Sequence, residues 1–279
     1  MGRLANSIIL LAFTAPILLL FSTLFFGQST HFDYFLKQSL IQDYFTNSIL
    51  VAIITALITS LIAIPSAYWI SFYDFKGKKT LEWMLVLPLA VPSYIAAMVY
   101  SALLESAGPV QYFIRDIFQV QYGEYWFPQI QSIAGMSLVL AFTLYPYLYL
   151  LLRAAFMALS SQIIESAILL GAQGNLLFFR LIFPACRPAF IAGLSLVIME
   201  TLADFGVASL FGIPVFTTGI YRAWNSFYDP IAAGRIALIL LIFIFTMIWI
   251  EKLSRGHRKY SSLNITSYLK PRKLNAIVS

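Results

Sequence analysis

ESAILLGAQGNLLFFRLIFP, residues 165–184, lies between two strongly apolar runs yet carries Glu165, Gln173, Asn175 and Arg180. That polarity makes it a poor membrane span. Apolar residues recur at Ile163, Ala167 and Leu170 and, after a break, at Leu176, Leu177 and Leu181. This is a helical stripe interrupted by the small residues Gly171, Ala172 and Gly174. The pattern predicts two short helices within 160–184, bent at Gly171 and lying along a membrane surface. The knuckle between them is left open to be gripped by another protein.

The chain around this stretch has 279 residues, of which 60% are hydrophobic and 11% charged, and its mean hydropathy is +0.83. A soluble domain carries roughly 25% charged residues, so the composition is that of an integral membrane protein. Long continuous apolar runs favour a helical bundle over a barrel. The net charge of +6 does not point to nucleic acid, because the basic residues sit in short loops and a tail beside apolar runs. The single cysteine, Cys186, excludes an intrachain disulfide and a cysteine-cluster metal site.

The expected fold class is all-α. One membrane domain, residues 1–250, holds about six spans near 8–26, 47–72, 81–104, 132–152, 188–210 and 232–250, and 251–279 form a basic tail. The first run is long enough to span, and Phe25-Phe26-Gly27-Gln28 offers no A-x-A cleavage site, so it reads as an uncleaved span. Pro65 should kink the second span. Pro88 and Pro92 sit one turn apart in the third, either as a packed kink or as the wall of a pathway. Tyr122, Tyr125, Trp126 and Phe127 in the loop 105–131 suit an interfacial belt. His31 reads as a loop residue rather than a ligand, since no cluster accompanies it. Gly77-Lys78-Lys79-Thr80 lacks the upstream glycine of a phosphate loop.

Orientation follows from charge. Fourteen of the eighteen Lys and Arg residues fall on one side: Arg3, Lys76, Lys78, Lys79, Arg153, Arg180, Arg187 and seven in the tail. Lys37, Arg115, Arg222 and Arg235 fall on the other. Both termini and the 160–184 stretch are therefore expected in the cytoplasm.

The order Glu165-Ser166-Ala167, three residues, Gly171, nine residues, Leu181-Ile182-Phe183-Pro184 resembles the EAA signature of ABC importer permeases, with Ser166, Leu181 and Phe183 as mild departures. The resemblance implies that this loop docks into a groove on a cytoplasmic ATPase through Glu165, Ala167, Gly171 and Pro184. Glu165 would cap or position the first coupling helix, Gly171 would permit the bend and a close contact, and Pro184 would end the second helix.

The fifth span carries Glu200 and Asp204, four residues apart and about 20 and 25 Å along the helix from Arg187. A central charge costs about 2.5–3.5 kcal/mol on insertion scales. The pair therefore reads either as a pathway feature suited to hard cations or as a hydrogen-bonded structural pair. METLADFG at 199–206, with Ser209 to Gly212 and Phe216 to Trp224, resembles the corresponding region of ferric-iron ABC permeases. Gly206, Gly212, Pro214 and Arg222 would then form an outer gate or loop. Such permeases carry two six-span halves, and this chain resembles the first alone. It is therefore expected either as a natural half or as a part of a longer permease, and to need a second half or a second copy.

Together these features predict a permease subunit of an ABC importer in a bacterial inner membrane. Its expected partners are ATPase subunits, a periplasmic or lipid-anchored binding protein, a second permease half and the lipid bilayer, with no nucleic acid. No catalytic constellation, resident metal site or cofactor is expected, and ATP hydrolysis belongs to a separate subunit. Ferric iron is the first cargo reading; thiamine, polyamine or sulfate is the alternative. A secondary transporter or channel is the alternative from another class.

Overall fold

The computed structural model describes residues 2–23, 28–29, 31–38, 40–255 and 272–273, and within them the side chains of 12–249 except Lys37. Helices α1 (Gly2–Ser22), α2 (Phe32–Lys37) and α3 (Leu40–Phe72) come first. The two-residue strand β1 (Tyr73–Asp74) follows, then α4 (Lys78–Met84), a 3-10 turn at Leu87–Ala90, α5 (Ser93–Leu104), α6 (Pro109–Phe118) and α7 (Ile133–Met157). Next are α8 (Ser161–Leu169), α9 (Gly174–Leu177), a π turn at Phe178–Ile182 and α10 (Phe183–Ala203). The outer elements are α11 (Gly206–Phe211), α12 (Phe216–Tyr221) and a π turn at Arg222–Ser226. Helix α13 (Pro230–Arg255) and strand β2 (Arg272–Lys273) complete the order, and β2 pairs in parallel with β1, Tyr73 opposite Arg272 and Asp74 opposite Lys273.

Among the described residues four helical stretches are long and apolar enough to cross a membrane: Leu40–Phe72, Ile133–Met157, Gly174–Ala203 and Pro230–Trp249. A fifth arises if the pair Lys78–Ala90 and Ser93–Phe118, bent by 99°, counts as one broken span. The expected first span overlaps α1, but residues 24–27 at its end lie outside the described residues.

The departures from the predicted spans have local causes. The stretch 81–104 is not one helix: Val91, held before Pro92, is extended (φ −104°, ψ 119°), as the clash with a following proline ring requires. The second span begins at Leu40 rather than Asn47, and Pro65 lies inside α3 without ending it. The fifth begins at Gly174 and stops at Ala203, short of the predicted 210. Pro184 does not end a helix; it lies inside the unbroken helical stretch Gly174–Ala203, just after the wider π turn at Phe178–Ile182.

Helices α3, α7 and α10 pack most closely on one another. Helix α7 is the axis, with 67% of its span buried against 22% for Gly174–Ala203. Val139, Leu140, Leu148 and Leu152 of α7 meet Ala63, Ala67 and Ile70 of α3 and Val197 of α10 in one core. Small residues bring the backbones together, as in membrane bundles generally. A Cβ on Gly193 of α10 would stand 3.1 Å from Leu148 Cα. Thr55 Oγ1 donates to the Ser137 carbonyl at 3.4 Å, joining α3 to α7. A second core at the other end gathers Phe35, Tyr44, Phe216, Ala232 and Ile236.

Candidate functional site

At one end of the bundle, α8 and α9 form an elbow between α7 and α10. Glu165 is the fifth of the nine α8 residues and is exposed. It is a mid-helix side chain rather than a cap, because Ser160 holds the N-cap position. The helix closes at Gly171. The Gly171 N–H donates to the Ile168 carbonyl at 2.9 Å, and the Ala172 N–H to the Ala167 carbonyl at 2.9 Å. These are the two bonds of a Schellman closure, which places a glycine in the left-handed region; Gly171 has φ +88°. A Cβ there would meet nothing within 4 Å, so the glycine serves the backbone turn and not a close contact within this chain.

The elbow has two faces. Ile164, Leu177 and Ile182 are buried in the core, with Ala167, Ala172, Phe178 and Leu181 packed against it. The Phe178 ring meets Tyr68 of α3 edge-on at 5.2 Å. On the other face Leu169 and Leu170 are each 88% exposed, beside exposed Leu176 and Phe179. Covering a leucine side chain yields about 1.5–3 kcal/mol.

Near the same end, Arg153 of α7 forms an ion pair with Glu82 of α4. Both residues stand in sequence beside long apolar runs, and nothing local signals that they meet.

At the opposite end, α10 stops where the predicted carboxylate pair lies. Glu200 is exposed on the last turns of α10, whereas Asp204 follows the helix with extended backbone (ψ 124°). Asp204 Oδ1 accepts the Val207 N–H at 2.8 Å and Oδ2 accepts the Ser93 hydroxyl at 2.7 Å. Its carbonyl accepts Thr217 Oγ1 at 2.8 Å. Asp204 thus caps the restart of the chain as α11 and ties it to the broken α4–α5 region. Gly206 fits against that region: a Cβ would lie 2.8 Å from Tyr94 Cβ.

Gly212 (φ +67°) closes α11 with the same paired bonds as Gly171, its N–H to the Ser209 carbonyl at 3.3 Å and that of Ile213 to Ala208 at 3.0 Å. The Pro214 carbonyl accepts Asn47 Nδ2 at 2.9 Å. Arg222 is exposed, with its guanidinium 5.6 Å from the centre of the Phe227 ring. Among the described residues no group of three or more His, Cys, Asp and Glu is placed to hold a metal ion.

Asp229 was not anticipated. Its Oδ1 accepts the Ala232 N–H at 2.9 Å, capping α13, and its Oδ2 accepts the Ser29 hydroxyl at 2.8 Å and the His31 N–H at 3.1 Å. Burial alone would raise its pKa, but these bonds and the neighbouring His31 ring outweigh it and hold the carboxyl below its usual range. The Asp-Pro pair at 229–230 is a legible helix-start signal; the tie to residues some 200 positions away is not.

Residues 60–259 match the model of the family described as binding-protein-dependent transport system inner membrane component. A probable sulfate transport system permease protein, cysT, of Prototheca wickerhamii is 27% identical over 73% of this chain and 78% of its own length. A putative ferric transport system permease protein, FbpB 1, of Haemophilus influenzae is 25% identical over 91% of this chain but 40% of its own length. This chain thus spans less than half of that ferric relative. The fold matches a chain of a bacterial ABC transporter that imports the acidic polysaccharide alginate, with a TM-score of 0.74, 18% identity and coverage of 92% and 95%. These matches remove the secondary-transporter and channel alternatives. The chain belongs to the binding-protein-dependent transport system inner membrane components, the permease subunits of ABC importers.

Proposed function

We propose that this permease imports ferric iron, receiving it from a binding protein at the Asp204–Arg222 end and drawing on ATPase subunits docked at the elbow. The observation that carries the docking is the pair Leu169 and Leu170, apolar and 88% exposed, on a glycine-closed turn anchored by Ile164 and Leu177. On this reading the elbow end, with both termini, faces the cytoplasm of a bacterium's inner membrane, in keeping with the distribution of Lys and Arg. The sparsely buried Gly174–Ala203 stretch offers a face for a second permease half or a second copy. Exposed Glu200 faces the pathway there, and the break after Asp204 supplies the hinge of an outer gate formed with Gly206, Gly212, Pro214 and Arg222. ATP-driven closure of the paired ATPases then rocks the spans by way of the elbow.

Ferric iron is favoured among cargoes because ferric permeases align with nearly the whole chain, 91% and 96% of it, against 73% for the algal sulfate permease. A sulfate-like oxyanion is the second reading, supported by the 27% identity to that permease. Uptake of radioactive iron and sulfate into cells with and without the gene separates the two. Loss of iron uptake alone is expected; loss of sulfate uptake alone contradicts the cargo assignment and leaves the docking intact.

A further inference from the structure

Close to the elbow, where α3 ends and α4 begins beside the end of α7, lies a cavity of about 660 Å³. This is within the size range of small-ligand sites. Lys78, Lys79 and Arg153 line it, with Asp74 and Glu82 as the acidic members. Glu82 is engaged by Arg153, and Lys78 Nζ donates to the Tyr73 carbonyl at 2.9 Å. Lys79 is exposed and has no ion-pair partner among the described residues. Two buried polar atoms of the lining are also without a partner among the described residues: the Ser71 hydroxyl, on a residue 8% exposed, and Arg153 Nε.

We propose that this cavity binds a phosphate group, carried by an anionic phospholipid of the adjoining leaflet. A phosphate supplies acceptors to exposed Lys79 and to the part-exposed guanidinium of Arg153. The lipid as its carrier follows from what lies beside the cavity. Leu81, Trp83, Met84 and Leu87 along α4 and the turn after it are all exposed, a short apolar strip on which an acyl chain rests while the headgroup enters among the cations. The inference depends on the proposed orientation only for which leaflet supplies the lipid. Its test involves no transport, so it can fail without touching the function proposed above.

The test is native mass spectrometry of the purified permease after exchange into phosphatidylglycerol or phosphatidylcholine, for the wild type, Lys79→Gln and Lys76→Gln. Lys76 lies in the same loop but does not line the cavity. Phosphatidylglycerol should be retained selectively, and Lys79→Gln should lower its occupancy about five-fold, the effect of one surface cation near an anionic headgroup. Lys76→Gln should leave it unchanged. Unaltered thermal unfolding of Lys79→Gln shows that the variant is folded. A parallel titration with inorganic phosphate separates the carriers. Lys79-dependent stabilisation by phosphate without lipid retention keeps the phosphate site and assigns it to a soluble ester. Equal retention of both lipids with no effect of phosphate, or equal loss in both variants, overturns the proposal.

Discussion

At Gly171 and at Gly212 the backbone closes a helix in the same way. Each glycine has positive φ, +88° and +67°, and each makes the paired carbonyl bonds of a Schellman turn. Neither would bring a Cβ against any other group. What flanks them differs. Around Gly212, Phe211, Ile213 and Val215 are buried by this chain and Leu210 is 37% exposed, whereas at the elbow both Leu169 and Leu170 are 88% exposed. The outer turn is therefore covered mostly by this chain, and the inner one carries the more open apolar face, where we propose that the ATPase docks. Turn chemistry says where a helix stops; the burial of its neighbours says whether that stop is internal architecture or an interface.

The sharpest way to break this contrast is to charge the open face. Leu169→Asp with Leu170→Asp removes about 1.5–3 kcal/mol of burial at each position. ATPase subunits should then bind at least a hundredfold more weakly in pull-down titrations, while the permease still inserts and unfolds at the wild-type temperature. Undiminished binding would place the docking face elsewhere. Next in size is valine at the two glycines, a left-handed strain of about 1–3 kcal/mol at each. Gly212→Val, among buried neighbours, should lower the unfolding temperature. Gly171→Val, in an elbow free to relax locally, should spare stability and uncouple ATP hydrolysis from uptake. The reverse pattern would undo the comparison.

Asp204 sharpens the account of the outer end. Asp204→Ala removes the cap on Val207 and the acceptor for Ser93, a loss of about 1–2 kcal/mol, readable as thermal destabilisation. Asp204→Asn keeps an acceptor for the cap, so a stable Asn variant that no longer transports would assign the charge itself to cargo passage. The smallest effect is the pH dependence of the Asp229 clasp. Its folded pKa lies below the ordinary carboxylate value, so its stabilisation is complete above about pH 4 and is lost as pH falls through the lower folded pKa. Thermal unfolding of the wild type should fall towards that of Asp229→Asn below pH 4.

The elbow was legible because its signals are local: polar residues between apolar runs, and Gly171 where the stripe breaks. The core helices were legible in kind for the same reason. Pro184 was misread because a proline is an ordinary helix stop, whereas here the helix runs on through it after the π turn at Phe178–Ile182. Pro88 and Pro92 marked a weak point in the third span, but not the 99° turn that follows. The pairing of Glu200 with Asp204 on one helix face assumed a helix that ends at Ala203. The partners of Asp204 and Asp229, Ser93 and Ser29, are 111 and 200 residues away in sequence, beyond the reach of any spacing rule.

The exposed elbow as the seat of the ATPase is tested most directly by one labelling measurement. Leu170→Cys in a Cys186→Ser background, reconstituted with its ATPase subunits, is treated with a membrane-impermeant maleimide from either side of the vesicle. The account predicts labelling from the cytoplasmic side alone, suppressed when the ATPases are assembled; labelling from the outer side, or labelling that the ATPases leave unchanged, contradicts it.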